Sequence, residues 1–239
     1  LMLGAIVGGL LAGWGLETTV SEMITGVKDI TPAIVRILAA GVLTGMLVKT
    51  GSASTIAHSI IKALGEKYIY LSLALSAMVL TAMGVFIDVA VITIAPIAII
   101  MGSRLRLPKF KLLLAMIGGG KCGNIISPNP NTIIAAENFD APLSSVMAAG
   151  IAPAIIGLLM IVFIVIPLIP KGDLMEGNDD REEQSNEALP SLWRSLLGPI
   201  VTIILLALRP IIGIVVDPMI ALPVGGIVGI LVTGKWRDT

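Results

Sequence analysis

Two ionisable side chains stand alone inside apolar stretches: Asp88 in FIDVAVITIAP and Lys121 in GGGKCGNIISPNPNT. In hydrocarbon surroundings such groups are expensive and mark a pathway or a site. A carboxylic acid in a low-dielectric site holds its proton more readily than in water, so Asp88 suits proton coupling. Its structural alternative is a helix-start acid satisfied by backbone N–H groups. Lys121 offers a full positive charge to a carboxylate ligand. Around it, the stretch 118–132 carries consecutive glycines that let backbone approach a ligand closely. Gly123, Asn124, Ser127, Asn129 and Asn131 follow, and their amides and hydroxyl suit the hydroxyls and carboxylate of a substrate. Pro128 and Pro130 hold the chain extended. Thr132 then opens a half-helix whose N–H groups and positive dipole end attract an anion. The bland alternative is a glycine segment packed on a neighbouring helix, with Lys121 snorkelling to water.

Other chemistries lack their residues. One cysteine, Cys122, excludes an internal disulfide, and one histidine, His58, leaves no pair for a metal site, so neither a metal nor a cofactor is expected. An intramembrane aspartyl protease needs two carboxylates sharing a site, and Asp88 has no evident partner, so no catalytic residue is assigned. The formal net charge of +0 argues against a nucleic-acid partner. Arg209 and Asp217 read as interfacial, His58 as a surface residue and Cys122 as a small buried one. Thr93 and Pro96 are placed where carbonyls could open toward a cavity.

These residues must be held by membrane helices. Of 239 residues, 56% are hydrophobic and 13% charged, with a mean hydropathy of +0.98. A soluble domain carries about twice that charge, so the fold class is an all-α integral membrane protein in a lipid bilayer. A span needs about 20 apolar residues. The first run, 1–16, is followed by a polar stretch at 17–31, which predicts a loop. A second helix is expected from Pro32 to Val48 with the proline in its first turn. The stretch 49–67 is amphipathic and predicts a segment that lies at the surface or enters only shallowly. The thirty-three residues of 69–101 are almost unbroken hydrophobic sequence. As one helix they would measure about 50 Å, whereas even at a 40° tilt only about 39 Å fits in hydrocarbon. Two half-length arms turning near Gly84, a re-entrant hairpin, explain the length better than one kinked helix. The short basic loop 104–111 leads to a helix broken at 118–132, over about 112–136 in all, since three glycines and two prolines interrupt a helix. A long span at 143–169, a polar linker at 170–194 and spans at 196–216 and 220–232 complete the pattern. Between Lys171 and Glu187 the linker holds seven of the sixteen acids and reads as a solvated loop.

Loops 49–67, 104–111, 171–194 and 235–237 carry twelve Lys and Arg, against Lys28 and Arg36 on the other side, which makes the first set cytoplasmic. The segment VGGLLAG at 7–13 is echoed by VGGIVGI at 224–230. The expected organisation is therefore a first transporter repeat over 1–217 and the opening helix of a second, inverted repeat over 218–239. The chain opens without Met inside a hydrophobic run and is expected to be about the N-terminal half of a longer protein.

Three segments carry a resemblance: VLTGMLVKTG at 42–51, FIDVAVITIAP at 86–96 and SPNPNT at 127–132. With them the chain resembles the gluconate/proton symporter family, the gluconate permeases, within the ion-transporter superfamily. The resemblance implies a polytopic helical transporter repeat with a hairpin tipped near Asp88 and a broken helix opening at SPNP. Together these would form half of a carboxylate site. It further implies proton symport of a gluconate-like or other hydroxylated organic-acid anion across the cytoplasmic membrane of a prokaryote, with a homodimer as assembly. A sodium-coupled carboxylate or citrate carrier is the nearest alternative, and a channel or a non-transport subunit a more distant one.

Overall fold

A computed structural model describes residues 2–170, 172–175 and 189–235. Helices dominate, and no strand occurs among the described residues. Helix α1 (Met2–Leu11) turns through Gly13 into α2 (Leu16–Lys49), 34 residues and about 51 Å long. The polar stretch 17–31 is thus helix and not loop. Its hydroxyls explain this: Thr19, Thr25 and Thr31 donate to the carbonyls of Gly15, Ser21 and Val27, four residues back, and so need no partner outside the helix. Glu17 in the first turn also favours a helix N-terminus. Pro32 lies inside α2 instead of at its start. Its missing N–H leaves the Lys28 carbonyl without a helical donor on an exposed surface. In the second half, Ala39, Ala40, Leu43, Met46 and Leu47 form one buried stripe.

Helix α3 (Ser52–Leu64) is packed into the protein and does not lie at the surface: Ala53, Ile56, Ala57 and Ile61 are buried. Amphipathicity here marks a helix whose apolar side faces a neighbouring helix. That neighbour is α4 (Ile69–Ala82), reached through a bend of 104° at Gly65. Gly65 has φ +73°, a left-handed value suited to glycine. His58 is half-buried in α3. Helix α4 is the centre of the bundle, buried on most of its circumference, with Leu71, Leu75, Val79 and Ala82 as a half-buried stripe.

A turn at 83–86 separates α4 from α5 (Ile87–Arg104), with Gly84 at φ +100°. The chain is therefore two helices over 69–101. The second arm exceeds half-length, since α5 alone is long and apolar enough to cross a membrane. Helix α6 (Lys109–Ile125) runs unbroken through Gly118, Gly119 and Gly120, and only 126–129 separates it from α7 (Pro130–Asn138). The interruption is therefore four residues long, not fifteen.

Helices α8 (Leu143–Ala149), α9 (Ile151–Met160) and α10 (Ile166–Leu168), with one π-helical turn at Ile161–Val165, form a single apolar span, Leu143–Leu168. Most of the acid-rich linker lies outside the described residues. Its described part at 172–175 pairs with the basic loop, where Lys109 N–H donates to the Asp173 carbonyl and Met175 N–H to Leu107, both at 3.0 Å. Helices α11 (Leu192–Ile212) and α12 (Pro218–Thr233) close the bundle against α2. The described residues contain four helices able to cross a membrane, five if the bent pair α3–α4 counts as one. The protein is an all-α polytopic membrane protein.

Candidate functional site

The triple glycine builds a helix contact. A Cβ at Gly119 would fall on the Ala74 carbonyl, and one at Gly123 on the Thr81 hydroxyl and the Met78 carbonyl. With hydrogens there instead, α6 lies backbone to backbone against α4, the usual use of small residues in membrane bundles. Thr81 Oγ1 crosses the contact and donates to the Gly120 carbonyl at 2.9 Å. Glycines tolerated inside α6 cost helix propensity, and the close contact offsets that cost.

This contact brings the two chain breaks side by side. The nearest atoms to the open side of Gly84, in the α4–α5 turn, belong to Leu43 of α2 and Pro128 of the α6–α7 break. Thr44 Oγ1 ties the turn to α2 by donating to the Gly84 carbonyl at 2.7 Å.

Within the break, Ser127, Asn129 and Thr132 are all buried and bond to one another. Asn129 Oδ1 accepts from Asn131 N–H (2.7 Å) and Thr132 N–H (3.4 Å), capping α7. Its Nδ2 donates to Ser127 Oγ at 2.6 Å and to the Asn124 carbonyl. Thr132 Oγ1 accepts from Asn129 N–H at 3.2 Å and bonds the Ser127 carbonyl. Ile133 N–H is taken by the Asn129 carbonyl. Pro130 has no N–H, so the first turn of α7 keeps no free donor. The expectation of unsatisfied N–H groups at this helix start is overturned by the cap. The side-chain amides of half-buried Asn124 and exposed Asn131 make no hydrogen bond among the described residues.

Asp88 and Lys121 stand apart from this knot. Asp88 is exposed in the first turn of α5, on one face with Ile92 and Pro96. Lys121 is exposed on α6, in line with Leu113, Ile117 and Ile125. They form no salt bridge with each other or with another described residue. Gly123 is buried in the α4–α6 contact. Thr93 returns its hydroxyl to the Val89 carbonyl at 2.8 Å. Cys122 is a buried free thiol, as its setting in an apolar segment suggests.

A charged cluster escapes the sequence reading. Arg36 Nη2 bonds Asp217 Oδ2 at 2.7 Å, Nε approaches both oxygens (3.2 and 3.3 Å), and Nη1 pairs with Glu137 Oε1. Asp217 also caps α12, accepting from Met219 N–H at 2.8 Å. The Arg36 guanidinium, aided by that N–H, holds the Asp217 carboxyl below the usual carboxylate range, against the opposing effect of burial. Asp217 is therefore a structural partner of Arg36 as well as the cap of α12. The signal lay in three lone charges at the ends of apolar segments, but Asp217 stands 181 positions from Arg36.

A polytopic helical bundle that sets two broken helices side by side has the build of a membrane transport protein. The comparison with known families agrees: the chain belongs to the GntP family of permeases, whose model matches residues 1–229. It is 52% identical over 225 residues to an uncharacterized transporter of Haemophilus influenzae, covering 93% of this chain and 53% of that protein. It is 25% identical over 213 residues to a high-affinity gluconate transporter of Escherichia coli, covering 86% of this chain and 47% of the relative. A gluconate permease of Pseudomonas aeruginosa is 25% identical over 210 residues, covering 84% and 46%. The chain thus spans about half the length of the curated relatives it matches. No solved structure matches it.

Proposed function

We propose that this chain is part of a secondary carrier that moves gluconate-like hydroxylated organic-acid anions into the cell by proton symport. The observation that carries the reading is the juxtaposition of the α4–α5 turn with the α6–α7 break at Gly84 and Pro128. Broken helices at such a junction supply polar groups at membrane depth where a continuous helix offers none. Two of its relatives bear the names of gluconate carriers, which supports the substrate class. In this reading Ser127, Asn129 and Thr132 hold the break rigid, and Gly123 lets α6 close on α4. Asn124 and Asn131 present amides to the substrate hydroxyls, Lys121 attracts its carboxylate and Asp88 carries the coupled proton.

The test is uptake by the full-length protein in proteoliposomes under imposed gradients. Gluconate accumulation driven by a proton gradient, and lost in Asp88→Asn and Lys121→Ala, is the expected result. Accumulation that persists when the proton gradient is collapsed and follows sodium instead overturns proton coupling. Both variants transporting with unchanged pH dependence would overturn the residue roles.

A further inference from the structure

Five charged side chains left unused by the transport reading line one cavity of about 200 Å³. Its polar walls are Arg36 of α2, Glu137 and Asp140 at the end of α7, Ser144 of α8, Arg209 of α11 and Asp217 ahead of α12. Arg36 is the hub, bonded on one side to Asp217 and on the other to Glu137. Asp217 is fixed in turn by its cap on α12, so Arg36 and Asp217 belong to the α2–α12 frame. Glu137 does not. It sits on α7, a helix of nine residues whose buried side chains are Thr132, Ile133 and Ala136. Non-helical chain bounds α7 at both ends, in the break at 126–129 and in the turn at Asp140, where φ is +47°. A short helix with so little buried surface opens at low cost.

Ion pairs suit a contact that must break. Desolvation cancels much of their Coulomb attraction, so they contribute direction more than net stability, and their charges return to water without loss when the contact opens. We infer that Arg36, Glu137 and Asp217 form a latch that holds α7 against the α2–α12 frame, closing the face that carries Lys28 and Arg36, and that the transport cycle releases it. The last clause rests on the proposed carrier function; the latch itself rests on the geometry.

The experiment measures access to the cavity wall behind the latch. Ile133 lines the cavity and is 1% exposed. The full-length protein carrying Cys122→Ser and Ile133→Cys is labelled in intact cells with a membrane-impermeant maleimide, without substrate. Glu137→Gln is expected to raise the labelling rate about tenfold or more, the equivalent of losing one charge-assisted hydrogen bond. Arg36→Gln, which removes the cation facing both Asp217 and Glu137, is expected to raise the rate at least as much. Asp29→Asn, an exposed acid elsewhere on α2, is expected to change nothing. An unchanged rate in Glu137→Gln or in Arg36→Gln overturns the latch. Should Glu137→Gln fail to reach the membrane, Glu137→Asp, with its shorter arm, is expected to speed labelling, and an unchanged rate there has the same force. Gluconate uptake in the same cells reports on the carrier reading separately. Latch-dependent labelling without uptake overturns that reading and leaves the latch, and uptake with latch-independent labelling does the reverse.

Discussion

Replacing Gly119 by alanine sets two effects of known size against each other. In a helix interior alanine is favoured over glycine by about 1 kcal/mol. At this position the added methyl would meet the Ala74 carbonyl, with the Ala74 Cα only 2.6 Å away, and both are backbone atoms that no rotamer change can move. Relief requires α4 and α6 to separate. Overpacking of this kind costs roughly 1–3 kcal/mol and more where backbone must shift. Separation also stretches the bond from Thr81 to the Gly120 carbonyl, worth about 0.6 kcal/mol in a membrane bundle. On these figures the clash wins, with a net loss of about 0.6–2.6 kcal/mol, which for a chain of this size lowers the thermal midpoint by roughly 1–10 °C. The comparison is Gly45→Ala on α2, where nothing lies within 4 Å of the new methyl. That variant gains the helix propensity with no clash and should melt at or above the parent. Thermal unfolding of the two variants in detergent, followed by circular dichroism, decides the matter. A Gly119→Ala midpoint equal to or above that of Gly45→Ala would refute the claim that these glycines exist to bring α4 and α6 together.

Asn129→Ala removes the cap of α7 and orphans the buried Ser127 hydroxyl, a loss of about 2–3 kcal/mol; hydrogen exchange at the Asn131 and Thr132 amides should accelerate while exchange in α4 does not. Asp217→Ala should destabilise more than Asp217→Asn, because asparagine keeps the acceptor for Met219 N–H and loses only the charge facing Arg36, and thermal midpoints of the two variants check the order. Since Arg36 lowers the Asp217 pKa, the pair stabilises the fold above the ordinary carboxylate value of 3.8 and loses that contribution as the pH falls through the lower folded value. The gap between wild type and Asp217→Asn should accordingly stay constant from pH 8 to about pH 5 and close only in stronger acid, as read from melting curves across pH.

The broad plan of this fold is written in local sequence. Excess length at 69–101 demanded a break, and Gly84 supplied it; the prolines at 128 and 130 located the second break to within a few residues. What failed was the meaning of residue types that serve two ends. Glycine reads as a helix breaker in isolation, yet Gly118, Gly119 and Gly120 stay helical because a partner helix lies where their side chains would be. Thr19, Thr25 and Thr31 sit in a stretch that reads as loop, yet they bond back to their own helix. The amphipathic face of α3 was visible, but its partner was α4 and not solvent. Asn129 and Thr132 were singled out as ligand groups for their polarity, and the structure spends that polarity on the break itself. The Arg36 cluster depends on three segments far apart in sequence, so no local pattern points to it.

The glycine contact between α4 and α6 has a mechanical corollary. Two helices touching along their backbones and crossed by the Thr81–Gly120 bond cannot slide past each other without steric collision, so they behave as one beam. The turn at 83–86 hangs from one end of that beam and the break at 126–129 from the other helix of the same pair. A displacement of the beam relative to α2 carries both openings together and preserves the spacing between Gly84 and Pro128. The hydrogen bonds of Asn129 and Thr132 across the break carry the start of α7 with the beam, so the contact that gives is the one between α7 and α2. In the proposed carrier, a solute held between the two openings would travel with its walls intact, and the strain of the movement would fall on the Arg36–Glu137 pair.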